Sequence, residues 1–224
     1  DGLWRGWYFN GNQFFERNYK DGEKIPFIIH PHGGPNARDY WGYNPEVQFY
    51  ATRGYGVIQM DYRGSTGYGR KEMILANHQM GKKMQEDKYD ALMWANDQGY
   101  VDMNNVCISG ASYGGYAAMQ AATKNPELFK CIIAYVGVYD LTSMDLRGLQ
   151  WSELGMPMEY IEKGDPKDPD DYKNLYENSP LFFAENVEDP ILIITGRRDT
   201  QVRFQETVDM VNELKKYNKD YKYI

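Results

Sequence analysis

Val106-Cys107-Ile108-Ser109-Gly110-Ala111-Ser112-Tyr113-Gly114-Gly115-Tyr116-Ala117-Ala118 decides the fold. An apolar run of strand length ends in Gly-x-Ser-x-Gly, and small residues follow. That order describes a strand turning sharply into a helix with Ser112 at the bend. So tight a turn excludes side chains two positions either side of the serine, hence Gly110 and Gly114. Gly115, Ala117 and Ala118 then let the helix lie close against a sheet. The competing account is a glycine-rich helix start with an incidental exposed serine. The strand before it and the small-residue helix after it favour a raised nucleophile.

Outward from this bend, apolar runs of strand length recur at residues 25–30, 55–60, 106–109, 131–136 and 191–195, with helical stretches between them. Strands alternating with helices predict an α/β fold, a mostly parallel central sheet with helices on both faces. Residues 86–98 place Tyr89, Leu92, Met93 and Trp94 on one helical face, and residues 207–214 do the same with Val208, Val211 and Leu214. Residues 3–9 and 14–19 flank Asn10-Gly11, the dipeptide of primed turns, and predict an antiparallel hairpin at the sheet edge. Residues 148–171, rich in charge and proline, read as an irregular excursion, either a cap or a solvated loop.

An acyl-transfer serine needs a base to take its proton and a carboxylate to orient that base, in the order serine, acid, histidine for this architecture. Asp199 follows the 191–195 run through Gly196-Arg197-Arg198, on the loop at a strand's carboxyl end, and is the expected acid. The oxyanion needs two N–H donors. Tyr113, after the nucleophile, supplies one, and Gly34 in His32-Gly33-Gly34-Pro35 supplies the other. The histidine requirement is not met. His30, His32 and His78 all precede Ser112, so the base is expected a few residues past Ile224. His32 is a poorer substitute because its loop is needed for oxyanion donors.

With those residues in place, the chain resembles the catalytic domain of the prolyl oligopeptidase family of serine peptidases, in its acylaminoacyl peptidase and dipeptidyl peptidase branch. The resemblance rests on His32-Gly33-Gly34-Pro35, on Asp61-Tyr62-Arg63-Gly64-Ser65-Thr66-Gly67-Tyr68-Gly69, on Gly110 to Tyr116 and on Gly196 to Val202. It implies an α/β-hydrolase fold, an acyl-enzyme mechanism without cofactor, and oligopeptide substrates. By the same likeness Val138, Leu141 and Val202 line the pocket for the residue before the scissile bond, and Gln201 contacts a substrate carbonyl. The family places a β-propeller before this domain; no part of these 224 residues reads as one. The chain begins at Asp1 and stops inside a strand-like segment, so a single catalytic domain cut from a longer chain is expected, inactive without its histidine. A carboxylesterase with the same machinery and a catalytically dead binding module are the alternatives.

Composition narrows the rest. The 25 Lys and Arg are scattered among 32 Asp and Glu, for a net charge of −7, which argues against nucleic acid or an anionic membrane as partner. A homo-oligomer stays open. Cys107 and Cys131 fall in apolar runs and are expected as buried free thiols. Gly64, Gly67 and Gly69 lack the dinucleotide order and read as a turn beside the site. Asp165, Asp168, Asp170 and Asp171 lack calcium-loop spacing, so neither metal nor cofactor is predicted.

Overall fold

The apolar runs fold into parallel strands because they are too short for helices and are bounded by turn residues. In the computed structural model, which describes residues 2–7, 13–19, 24–143 and 164–224, the five runs and a sixth strand at residues 221–223 form one sheet. We number the elements β1 (Gly2–Trp7), β2 (Gln13–Tyr19), β3 (Ile25–Ile29), α1 (Pro45–Ala51), β4 (Gly56–Ile58), α2 (Arg70–Ile74), α3 (Lys83–Asp97), β5 (Val101–Ala111), α4 (Tyr113–Lys124), β6 (Cys131–Tyr135), α5 (Pro169–Glu177), β7 (Ile191–Ile194), α6 (Phe204–Lys216) and β8 (Tyr221–Tyr223). The sheet order is β4-β3-β5-β6-β7-β8, and every pairing is parallel.

This order fixes where chemistry can occur. From β3 the chain crosses through α1 to β4 on one side, whereas from β5 it crosses through α4 to β6 on the other. The neighbours β3 and β5 therefore send their following loops in opposite directions, which opens a crevice at their carboxyl ends. Alternate strand residues face opposite layers. Ile29, Val106, Ile108, Ile132, Ala134, Ile191 and Ile193 pack with Leu92 of α3, Ala118 and Met119 of α4, and Met210 and Leu214 of α6. On the reverse face Ile28 and Cys107 pack with Tyr50 of α1.

Several expectations change. β1 and β2 pair antiparallel, but as a two-stranded sheet of their own rather than as an edge of the central one. The Asn10-Gly11 turn lies outside the described residues. In α3 the buried positions are Met84, Gln85, Lys88, Leu92 and Ala95, whereas Trp94 is 62% exposed and Met93 also faces solvent. The helix begins three residues before the predicted start, and two polar side chains, not Trp94, complete its inward face. Gln85 is accommodated by donating to Ala117 O at 3.0 Å. The tail of the expected irregular excursion is helical: Asp168 caps α5 by accepting from the N–H groups of Asp170 and Asp171, with Pro169 in the first turn.

The cysteines are also corrected. Cys107 and Cys131 face each other in register on β5 and β6 with Cα atoms 4.7 Å apart, and they form a disulfide. Two apolar runs read separately do not reveal that they are register partners, and in-register neighbours fall within bridging distance.

Candidate active site

The reason for the Gly-x-Ser-x-Gly spacing is visible atom by atom. Ser112 caps α4 with φ 56° and ψ −118°, a conformation a non-glycine residue holds only when its surroundings impose it. A Cβ on Gly110 would lie 2.7 Å from Gly114 C, and one on Gly114 would lie 2.3 Å from Pro31 O. A Cβ on Gly115 would lie 2.5 Å from Tyr135 O. Side chains at these positions would push the bend off β3 and β6. Ser112 N donates to Tyr135 O at 2.9 Å, tying the bend to the end of β6.

Tyr113 is the first residue of α4, where the N–H points out of the helix end and the macrodipole favours negative charge. The loop after β3 arrives from the other side of the crevice. Gly33 sits against the serine: its Cβ position would be 3.1 Å from Ala111 O and 3.4 Å from Ser112 Cβ. Gly34 follows with φ 129°, exposed, before a cis bond to Pro35. That φ lies in the region open to glycine, and added carbon would meet Asn36 N at 2.7 Å.

Asp199 lies on the loop after β7, at the same end of the sheet as Ser112, with β6 between them. Val136 N donates to Ile194 O just as Ser112 N donates to Tyr135 O, so the three strand ends are level. Two strand spacings of about 4.8 Å separate the serine's strand from the acid's. Asp199 Oδ1 accepts from the N–H groups of Gln201 at 2.8 Å and Val202 at 2.9 Å, which fixes the carboxylate. Its other oxygen accepts from none of the described residues. Val202 and Leu141 are buried, Gln201 is exposed and Val138 is half-buried. Leu141 and Val138 pack in one cluster with Tyr62, Tyr113 and Tyr116.

The three histidines are all engaged elsewhere. His30 Nδ1 is 2.9 Å from Ser109 O, His78 pairs with Asp171 at 3.2 Å, and His32 has Nδ1 2.7 Å from Gly33 O and Nε2 3.0 Å from Ser65 Oγ. None of these contacts reaches Ser112.

A layer beneath the site was not foreseen. Tyr62 stacks on His32 with centroids 4.3 Å apart and donates to His32 O at 2.9 Å. Arg63 forms a two-pronged pair with Asp87. Burial pushes the Asp87 carboxyl up, and the Arg63 hydrogen bonds outweigh it, leaving the group below its ordinary value. Next to it Lys88 is fully buried, its Nζ 4.0 Å from the Tyr62 ring centroid and 5.1 Å from that of Tyr113. Burial pushes its ammonium down to about 7. The sequence signal was a lysine four residues from both Met84 and Leu92, on the inward stripe of α3. The acidic cluster is structural as well: Asp171 accepts from Asp165 N, and no group of three metal-binding side chains occurs among the described residues. No described helix is long and apolar enough to cross a membrane.

The prolyl oligopeptidase family profile matches residues 41–224. The chain belongs to that family. A dipeptidyl peptidase family member 6 from Caenorhabditis elegans is 37% identical over 191 residues, covering 84% of this chain and 26% of that protein. Dipeptidyl aminopeptidase BIII from Pseudoxanthomonas mexicana is 36% identical over 203 residues, covering 89% of this chain and 29% of that protein. Among solved structures, an acylaminoacyl peptidase in complex with Z-Gly-Gly-Phe-chloromethyl ketone matches with TM-score 0.80 at 26% identity, over 100% of this chain and 36% of that one. The fold is thus the α/β-hydrolase fold of prolyl oligopeptidase family peptidases, and the chain spans under a third of the length of the two relatives.

Proposed function

We propose that this chain is the catalytic domain of a serine peptidase that cleaves oligopeptides through an acyl-enzyme on Ser112. The observation that carries the reading is the strained serine at the switch-point crevice, with Gly33 packed against it. Ser112 Oγ attacks the peptide carbonyl carbon as its proton passes to a histidine base, supplied from beyond Ile224. Gly34 and Tyr113 N–H groups hold the oxyanion, and the C–N bond breaks as the base returns the proton to the leaving amine. Water then releases the acyl group by the same steps. Asp199, its carboxylate fixed by two backbone donors, orients the base.

In this reading Val138, Leu141 and Val202 border the pocket for the residue before the scissile bond, and Gln201 reaches a substrate carbonyl. The short coverage of much longer relatives supports further domains in the whole protein, with an N-terminal β-propeller as the one we expect, and self-association as a homo-oligomer is compatible with it. No cofactor enters the reaction.

The test is fluorophosphonate labelling of the full-length protein, with turnover of peptide and ester substrates measured in parallel. Wild type is expected to label, Ser112→Ala to lose labelling and at least roughly a thousandfold of turnover, with thermal stability retained. Ester turnover without peptide turnover would make it a carboxylesterase. A folded wild type that neither labels nor turns over either substrate would make it a binding module.

A further inference from the structure

A buried lysine without an ion-pair partner at salt-bridge distance among the described residues is an expensive feature of a core, and Lys88 is 0% exposed. Its Nζ donates to Met84 O, one turn back on α3, and lies over the rings of Tyr62 and Tyr113. The carboxylate next to it, Asp87, is occupied by Arg63 at 2.8 and 2.5 Å. What the ammonium touches is specific. The Tyr62 ring belongs to the segment whose hydroxyl holds His32 O, the start of the loop carrying Gly33 and Gly34. The Tyr113 ring belongs to the residue directly after the nucleophile. The two rings also meet each other with centroids 5.1 Å apart.

The two proposed oxyanion donors thus come from segments nearly eighty residues apart in sequence, and one buried amine, an ammonium below about pH 7, lies against an aromatic ring belonging or hydrogen-bonded to each segment. An ammonium over a ring face is held by the ring quadrupole, and the attraction grows when water is excluded. We propose that Lys88 is a positioning residue for the oxyanion hole, gripping Tyr62 and Tyr113 from beneath so that the Gly34 and Tyr113 donors keep a fixed separation. The inference rests on the serine peptidase reading above and adds to it a role for a residue that touches no substrate. Geometry of this kind acts on the transition state, whose oxyanion needs both donors, more than on substrate binding.

The experiment compares wild type, Lys88→Met, Lys88→Gln and Leu92→Ala in the full-length protein. Leu92 is equally buried, one turn further along α3, and touches neither ring network, so Leu92→Ala reports what simple loosening of the helix does. Lys88→Met keeps length and volume while removing the charge. It is expected to lower kcat roughly tenfold or more with KM within about twofold. Leu92→Ala is expected to lower the melting temperature with kcat unchanged. Should Lys88→Met fail to fold, Lys88→Gln supplies the same readout. Kinetics for the lysine variants matching wild type, or a loss matched by Leu92→Ala at equal stability, would overturn the proposal. If wild type shows no turnover that depends on Ser112, the peptidase reading fails instead.

Discussion

Pro31 O and a carbon that is absent from Gly114 set a tight tolerance at the bend. Any side chain at Gly114 would place its Cβ 2.3 Å from that carbonyl, and the atom it meets is backbone, so relief requires moving β3 or the bend itself. Gly114→Ala is therefore expected to cost at least about 2–3 kcal/mol, read as a lowered urea midpoint. Gly42 has nothing within 4 Å of its Cβ position, so Gly42→Ala provides the control and should stay within about 0.5 kcal/mol of wild type. A Gly114→Ala protein as stable as wild type would show that the bend is not locked between the strands. The serine itself pays into this geometry with its positive φ, a strain of order 1–3 kcal/mol that packing must offset.

At the scale of elements, what holds each helix in place is separable from what the helix does. α5 starts because Asp168 accepts two N–H groups of its first turn, at 2.9 and 3.1 Å, and Pro169 needs no donor there. Asp168→Ala should cost about 1 kcal/mol by chemical denaturation and Asp168→Asn only a few tenths, because asparagine caps nearly as well. The helix ends at Glu177 with Asn178 as its C-cap, and Ser179 just beyond accepts at its Oγ from Leu141 N at 2.8 Å. Loosening α5 thus reaches the segment where pocket residues are proposed. Similarly, Glu206 near the start of α6 accepts from Tyr139 N and Asp140 N, so that helix positions the turn after β6.

For the molecule as a whole, Lys88 links stability to pH. Its ordinary value of 10.5 falls to about 7 in the folded state, because burial penalises the charged form. The folded state thus binds the proton more weakly than the unfolded chain, and protonation favours unfolding. That cost is absent above pH 10.5, grows as pH falls toward 7, and is complete below it. The groups around the amine are the Tyr62 and Tyr113 rings and the Asp87–Arg63 pair. Urea unfolding at pH 6.5 and pH 10 should show wild type gaining stability relative to Lys88→Met at the higher pH. Equal differences at the two pH values would mean that the amine does not titrate in the folded protein.

Legibility in the sequence follows the range of the interaction. Strands β3 to β8 and the bend at Ser112 could be read because apolar run length, glycine spacing and small-residue runs are local steric requirements. The family follows from those linked motifs. The inward face of α3 was misread because only apolar residues were counted toward it, which admitted Trp94 and passed over the polar Lys88 and Gln85 that share the helical period of Met84 and Leu92. Burial of those polar groups depends on partners contributed by α4 and by the segment after β4, which no local pattern contains. The disulfide escaped for the same reason, since Cys107 and Cys131 become neighbours only when β5 and β6 are set in register.

The amino-acid order by itself determined that Ser112 stands at a strand-to-helix bend in a parallel α/β protein, since backbone sterics act over a few residues. Only the tertiary structure decided that Gly33 abuts that serine, that Asp199 lies at the same end of the sheet, and that a buried ammonium lies beneath both loops. Those juxtapositions come from strand order and register, which bring together residues that the chain itself keeps far apart.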